Sequence, residues 1–192
     1  MDVRLGTLIF ALTMFLPLGI SAQSRNLQAV SDMKLMDKLA SDHEEVADQA
    51  VQEVLRRGGS IITTLLARKG DKRFFYGTLA RDENFVMEFH SPTKNAEVNN
   101  RLLKEGKLVT VEVAAIYLVS AVYFDSLQIA QSPYLTDLSL LPRDRRAANT
   151  DDVIAKAWNA LDLWSEKFKS LGLEKLRESN NAPFADASVR FW

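Results

Sequence analysis

The stretch SDHEEVADQAVQEVLRRGGSIITTLLARKG, residues 41–70, decides the fold class. Ser41 and Glu44 have the spacing of a capping box, in which a hydroxyl and a carboxylate take free N–H groups at a helix start. Val46, Ala47, Ala50, Val51, Val54 and Leu55 then recur at helical spacing. Arg56 and Arg57 put positive charge in the last turn, where the helix dipole favours it, and Gly58-Gly59 stops the run. Ser60 opens a second helix, Ile61 to Lys69, with Ile61, Ile62, Leu65 and Leu66 apolar, and Gly70 ends it. Two amphipathic helices joined by a glycine turn make a helical hairpin.

Working outward, Asn26 to Ala40 has scattered apolar positions that predict a first helix. Beyond the hairpin, Phe85-Val86-Met87-Glu88-Phe89 reads as a short strand or a helical turn, and His90-Ser91-Pro92 breaks the chain. Asn95 to Lys104 reads as a helix stopped by Gly106. Leu108 to Phe124 is apolar but carries Glu112, and it is shorter than the roughly 20 apolar residues of a membrane span. A buried core helix is expected, with a strand start at Leu108 to Val113 as the alternative. Residues 125–149 form the longest irregular stretch, with Pro133, Pro142 and the cluster Arg143-Asp144-Arg145-Arg146. Such a stretch is either a functional surface excursion or a flexible connection. Thr150 caps a long helix with the core stripe Ile154, Ala157, Trp158, Leu161, Trp164, Phe168 and Leu171, and Gly172 ends it. Leu173 to Ser179 gives a further helical turn.

These readings predict a mostly all-α fold of stacked antiparallel helical hairpins, with a minor β element at Phe85 to Phe89. Residues 23–179 form the helical domain and 180–192 an irregular tail that packs Trp192 back on the core. Residues 1–22 are expected to be a secretory signal peptide: Arg4 supplies the positive start, Leu8 to Leu18 the apolar run, and Gly19-Ile20-Ser21-Ala22 the small-residue cleavage site. Apolar residues make up 47% of the chain, enough for a packed core rather than disorder. The net charge of −1 gives no reason to expect a nucleic-acid or anionic-membrane partner. Cysteine is absent, and so is any Asn-x-Ser/Thr acceptor for N-glycosylation. Both absences suit a bacterial secreted or periplasmic protein, with no transmembrane span after signal cleavage.

One resemblance lies in residues 45–73. They read Val-x-x-x-Ala-Val-x-x-Val-Leu-x-x-Gly-x-x-Ile-Ile-x-x-Leu-Leu, followed by Asp71 and Arg73. This resembles a HEAT-type helical repeat, in which antiparallel helix pairs stack on their neighbours. The resemblance implies a scaffold that binds other proteins on a helical face, and it carries over no catalytic residue.

Motifs for chemistry are sparse. The two histidines, His43 and His90, do not sit in a metal-ligand pattern, and no metal or cofactor is expected. There is no Gly-x-Ser-x-Gly elbow and no phosphate loop; Gly58-Gly59-Ser60 is a turn between helices. No catalytic residue is assigned. Glu112 is expected on the solvent edge of its helix; if buried, it needs an Arg or Tyr beside it. Arg56, Arg57, Arg68, Lys69, Lys72 and Arg73 form one basic group, but at opposite ends of a hairpin they need not make one patch. Arg143, Arg145 and Arg146, in the proline-flanked stretch, are the candidate binding residues for an acidic partner or a phosphate-rich surface. The expected role is a non-catalytic helical module that binds another protein or an envelope component. The alternatives are a carrier that holds an apolar ligand between aromatic helices, and a hydrolase or transferase built around His90, Glu112 and Tyr117.

Overall fold

The computed structural model describes residues 30–79, 92–130 and 132–191. The expected signal peptide, the β element at Phe85 to Phe89, His90 and Trp192 lie outside them. The described chain is mostly helical, with one small antiparallel sheet. Its helices are α1 (Asp32–Leu39), α2 (Glu44–Arg57), α3 (Ile62–Leu66), α4 (Ala96–Lys104), α5 (Val111–Phe124), α6 (Asp151–Leu171) and α7 (Leu173–Glu178). Strands β1 (Leu135–Asp137) and β2 (Val189–Phe191) form the sheet, with Leu135 opposite Phe191 and Asp137 opposite Val189.

Helix α5 is the centre of the molecule. Every residue from Val111 to Tyr123 is buried, so the helix is apolar all round and must be covered on all sides. The cover comes from α2, α3 and α6, while α1 closes over α2 and α3. Both alternatives for Leu108 to Phe124 hold in part. Thr110 caps the helix by accepting from the Val113 N–H, and just before it the chain is extended, with Thr110 bridging to Phe74. At the other end Asp125 takes a left-handed conformation, and Arg177 donates to the Tyr123 and Val122 carbonyls at 2.8 and 2.6 Å. That satisfies carbonyls a helix end leaves free. Among the described residues no helix is long and apolar enough to cross a membrane.

Several local expectations need correction. Ser41 does not cap α2. The N-cap is His43, which makes no side-chain cap bond, and the Ser41 hydroxyl accepts from the His43 N–H instead. Ser60 does not open the second helix either. It lies within a 3-10 turn, Gly58–Ile61, and its hydroxyl donates to the Arg57 carbonyl. The helix that follows is therefore only Ile62–Leu66. In α6 the stripe is buried from Ile154 through Trp164, but Leu171 is exposed as the helix outruns the core. The tail from Asn180 is not wholly irregular: it supplies β2, and Phe191 packs edge-on against Tyr117 at 4.9 Å. The minor β element is thus formed between residues 135–137 and 189–191.

Candidate functional site

Glu112 corrects the expectation directly, because it is buried in the first turn of α5. Its partner is neither an Arg nor a Tyr. Oε2 accepts the Gly70 N–H at 2.9 Å, and Oε1 lies 2.5 Å from Lys72 Nζ. The second contact is an ion pair rather than a well-directed hydrogen bond. Lys72 also donates to Asp151 at the start of α6. Burial pulls the Lys72 ammonium down, but the two carboxylates outweigh it and hold it above its ordinary value. The cluster ties the turn after α3 to the first turns of α5 and α6, where acids also suit the helix dipole.

Tyr117 is equally committed. Its hydroxyl donates to the Leu127 carbonyl at 2.6 Å, and burial pushes its pKa up to about 12. Of the residues that an enzyme reading would combine, Glu112 and Tyr117 are both held in structural bonds. The aromatic groups are core as well. Trp158 and Trp164 are buried, Trp164 stacks on Phe168, and its indole N–H donates to the Asn181 carbonyl.

The first basic group forms no patch. Arg56 and Arg57 close on buried Glu53, and Arg57 also reaches Asp32 and the Val30 carbonyl. Lys69 pairs with Asp162, and Arg73 with Asp71 and Asp37. Hydrogen bonds from Arg56 and Arg57 outweigh burial to hold the Glu53 carboxyl below its ordinary value, and Arg73 does the same for Asp71.

The proline-flanked stretch differs. Its base is a small β arrangement: Thr136 bridges to Ala147, and the Ala148 N–H donates to the Leu135 carbonyl. Buried Asn149 locks it. Its Oδ1 accepts the Leu135 N–H at 3.1 Å, and its Nδ2 donates to the Pro133 and Leu108 carbonyls at 3.3 and 3.5 Å. The Asn149 N–H donates to the Gly106 carbonyl, and a side chain at position 106 would strike Asn149 and Thr150 backbone nitrogens at 2.8 and 2.9 Å. Gly106, at φ +67, is therefore needed both for its conformation and for this close approach.

Residues 138–146 form a loop on that base. Asp137, at its start, is buried against Lys156 of α6 and accepts the Ser139 N–H and hydroxyl at 2.9 and 2.6 Å. The Lys156 ammonium and then the Ser139 hydroxyl lower the Asp137 pKa to about 2. The three candidate arginines have different places. Arg145 turns inward and donates to the Leu138 and Leu140 carbonyls, each at 3.0 Å, so it fixes the loop. Arg143 is 82% exposed, with Asp144 at 3.8 Å as its ion-pair partner, and exposed Arg146 has no partner among the described residues. The loop also exposes Leu140 (45%) and Leu141 (58%), which sequence reasoning passed over because neither fits a periodic pattern.

Other surface hollows offer less. A cleft of about 390 Å³ between α2 and two loops is lined by Asp48, Gln49, Gln52, Leu79, Leu127 and Gln128, and Asp48 is already turned onto the Thr78 N–H at 2.6 Å. Neither Glu112 nor Tyr117 lines it. Among the described residues no three His, Asp or Glu side chains converge as a metal-binding set. Compared with protein-family models, curated proteins and solved structures, the chain has no match.

Proposed function

We propose that the chain is an exported, non-catalytic helical module, secreted or periplasmic, that binds another protein or an envelope component through loop 138–146. One contrast supports this reading. Of the first basic group, Arg56, Arg57, Lys69, Lys72 and Arg73 are paired with acids and Arg68 reaches only Met33, while exposed Arg146 has no partner among the described residues and Arg143 is exposed beside Asp144, in the same loop as exposed Leu140 and Leu141. A rigid base carrying an exposed apolar and cationic tip is the usual division between scaffold and recognition loop. The HEAT-type resemblance of residues 45–73 agrees with a binding role, with that hairpin serving as scaffold.

The test is a pull-down from an envelope extract with the wild-type chain and with an Arg143→Ala/Arg146→Ala variant. Arg145 stays unchanged because it holds the loop in shape. The expected result is a specific component retained by the wild type and lost by the variant. Equal retention by both would remove the loop from the binding surface, and co-elution of a small molecule alone would favour a carrier.

A further inference from the structure

Helix α1 is short, and three arginines of the helical hairpin reach across to hold it. Arg57, at the end of α2, bonds Asp32 and the Val30 carbonyl. Arg73 reaches the Asp37 carboxylate at 3.5 Å. The third, Arg68, follows α3 and makes no ion pair among the described residues. Its Nη2 donates to the Met33 sulfur at 3.8 Å, and its Nε is buried with no hydrogen-bond partner. Asp71 feels the Arg68 charge, but its two oxygens are taken by Arg73. A thioether is a weak acceptor, so the Arg68 guanidinium keeps most of its donor capacity unspent.

The acceptor that Arg68 has found is also open to solvent. Met33 is 56% exposed, whereas Met36, on the next turn of the same helix, is 0% exposed. Hydrogen peroxide therefore has access to the first sulfur and not to the second. In that reaction the sulfur lone pair attacks one peroxide oxygen, the S–O bond forms and the O–O bond breaks. The departing oxygen takes the proton of the first and leaves as water. Sulfur is oxidised by two electrons and peroxide is reduced by two.

The product keeps its place and becomes a better acceptor. A sulfoxide oxygen makes a charge-assisted hydrogen bond with a guanidinium where a thioether makes a weak one. With an S–O bond of about 1.5 Å and an N–H···O distance of about 2.9 Å, the 3.8 Å sulfur–nitrogen separation leaves an angle of about 115° at the oxygen, within the ordinary lone-pair directions. In a packed core a sulfoxide is disruptive. At Met33 it forms on the surface, beside a cation with donors to spare.

We propose that Met33 is a reversible oxidation site, and that Arg68 receives the sulfoxide oxygen and so tightens α1 onto the end of α3. Methionine sulfoxide reductases reverse the change. The site is separate from loop 138–146 and independent of the binding role proposed above.

The experiment uses the full chain and hydrogen peroxide. Peptide mass mapping over time follows oxygen uptake, and Met33 should react on the order of tenfold faster than Met36, or more. Thermal melts then compare Met33→Gln, whose amide oxygen is a permanent acceptor, with Met33→Leu, which has none. Both are made in the wild-type and Arg68→Ala backgrounds. Met33→Gln should melt about 2–4 °C above Met33→Leu when Arg68 is present, and within about 1 °C of it when Arg68 is replaced. Peroxide should raise the wild-type Tm relative to Met33→Leu treated in the same way, a comparison that cancels oxidation at other methionines. Sulfoxide reductase should then return the Tm to its starting value.

Three results overturn the assignment: Met36 oxidised as fast as Met33, Met33→Gln no more stable than Met33→Leu, or an equal gain in the Arg68→Ala background. If Arg68→Ala does not fold, the Gln and Leu comparison and the peroxide melts, both at an exposed position, still decide.

Discussion

Asp137 shows how one carboxylate shapes the loop that follows it. Its two oxygens hold Lys156 on one side and Ser139 on the other, so the chain turns out of β1 at a fixed angle. A carboxyl lowered from 3.8 to about 2 adds stability above pH 3.8, and that stability is lost as pH falls through about 2. Asp137→Asn should therefore cost about 1–2 kcal/mol at neutral pH, a discounted figure because the Lys156 ammonium faces solvent. Near pH 2 the variant and wild type should converge, which urea melts at both pH values will show. Lys72→Ala should cost about 1–3 kcal/mol, since it leaves buried Glu112 without its counter-charge. The raised Lys72 pKa sets the window: its contribution is complete below the ordinary value of 10.5 and fades as pH rises through the higher folded value. A Lys72→Ala penalty that stayed unchanged in a Glu112→Gln background would show that the pair is not its source.

At the scale of elements, the helix starts separate what sequence can tell from what it cannot. Asn95 and Thr110 cap α4 and α5 with side-chain bonds; α4 starts where expected, but α5 starts at Val111 rather than at the expected Leu108. Thr150 starts α6 where expected, yet makes no side-chain cap bond. Ser41 has the better motif and is not a cap, because α2 begins two residues later than the motif requires. Calorimetry should therefore separate two alanine variants. Thr110→Ala should cost about 1 kcal/mol or more in its buried setting, and Ser41→Ala only a few tenths. The reverse order would mean that the capping box forms in solution. Gly106 and Gly172 end their helices as composition implies, whereas β1 and β2 are three residues each and pair across a long separation. Strands that short carry no alternation to read, so the sheet was invisible in sequence. The Glu112–Lys72 pair was hidden for the same reason: the interruption in an apolar run is local, but its partner is 40 positions away, in the turn after α3.

For the whole molecule, the sequence announces a helical core and a proline-flanked excursion, and the structure explains their relation. Helix α5, buried from Val111 to Tyr123 and clamped by Arg177 at one end and by the Lys72 cluster at the other, leaves loop 138–146 exposed on a locked base. The candidate site was legible only in part. Three arginines within four residues draw attention, but only the fold assigns Arg145 to the loop's interior and shows Leu140 and Leu141 exposed beside it. Exposure by itself does not make a site. Leu163 on α6 is 73% exposed, more than either loop leucine, and is therefore an internal control. The decisive measurement places a photo-crosslinking residue at position 141 or at position 163 in the producing cell. The account predicts specific adducts from position 141, reduced when Arg143 and Arg146 are replaced by alanine, and none above background from position 163. Equal labelling from both positions, or labelling from 163 alone, would contradict the assignment of binding to the loop.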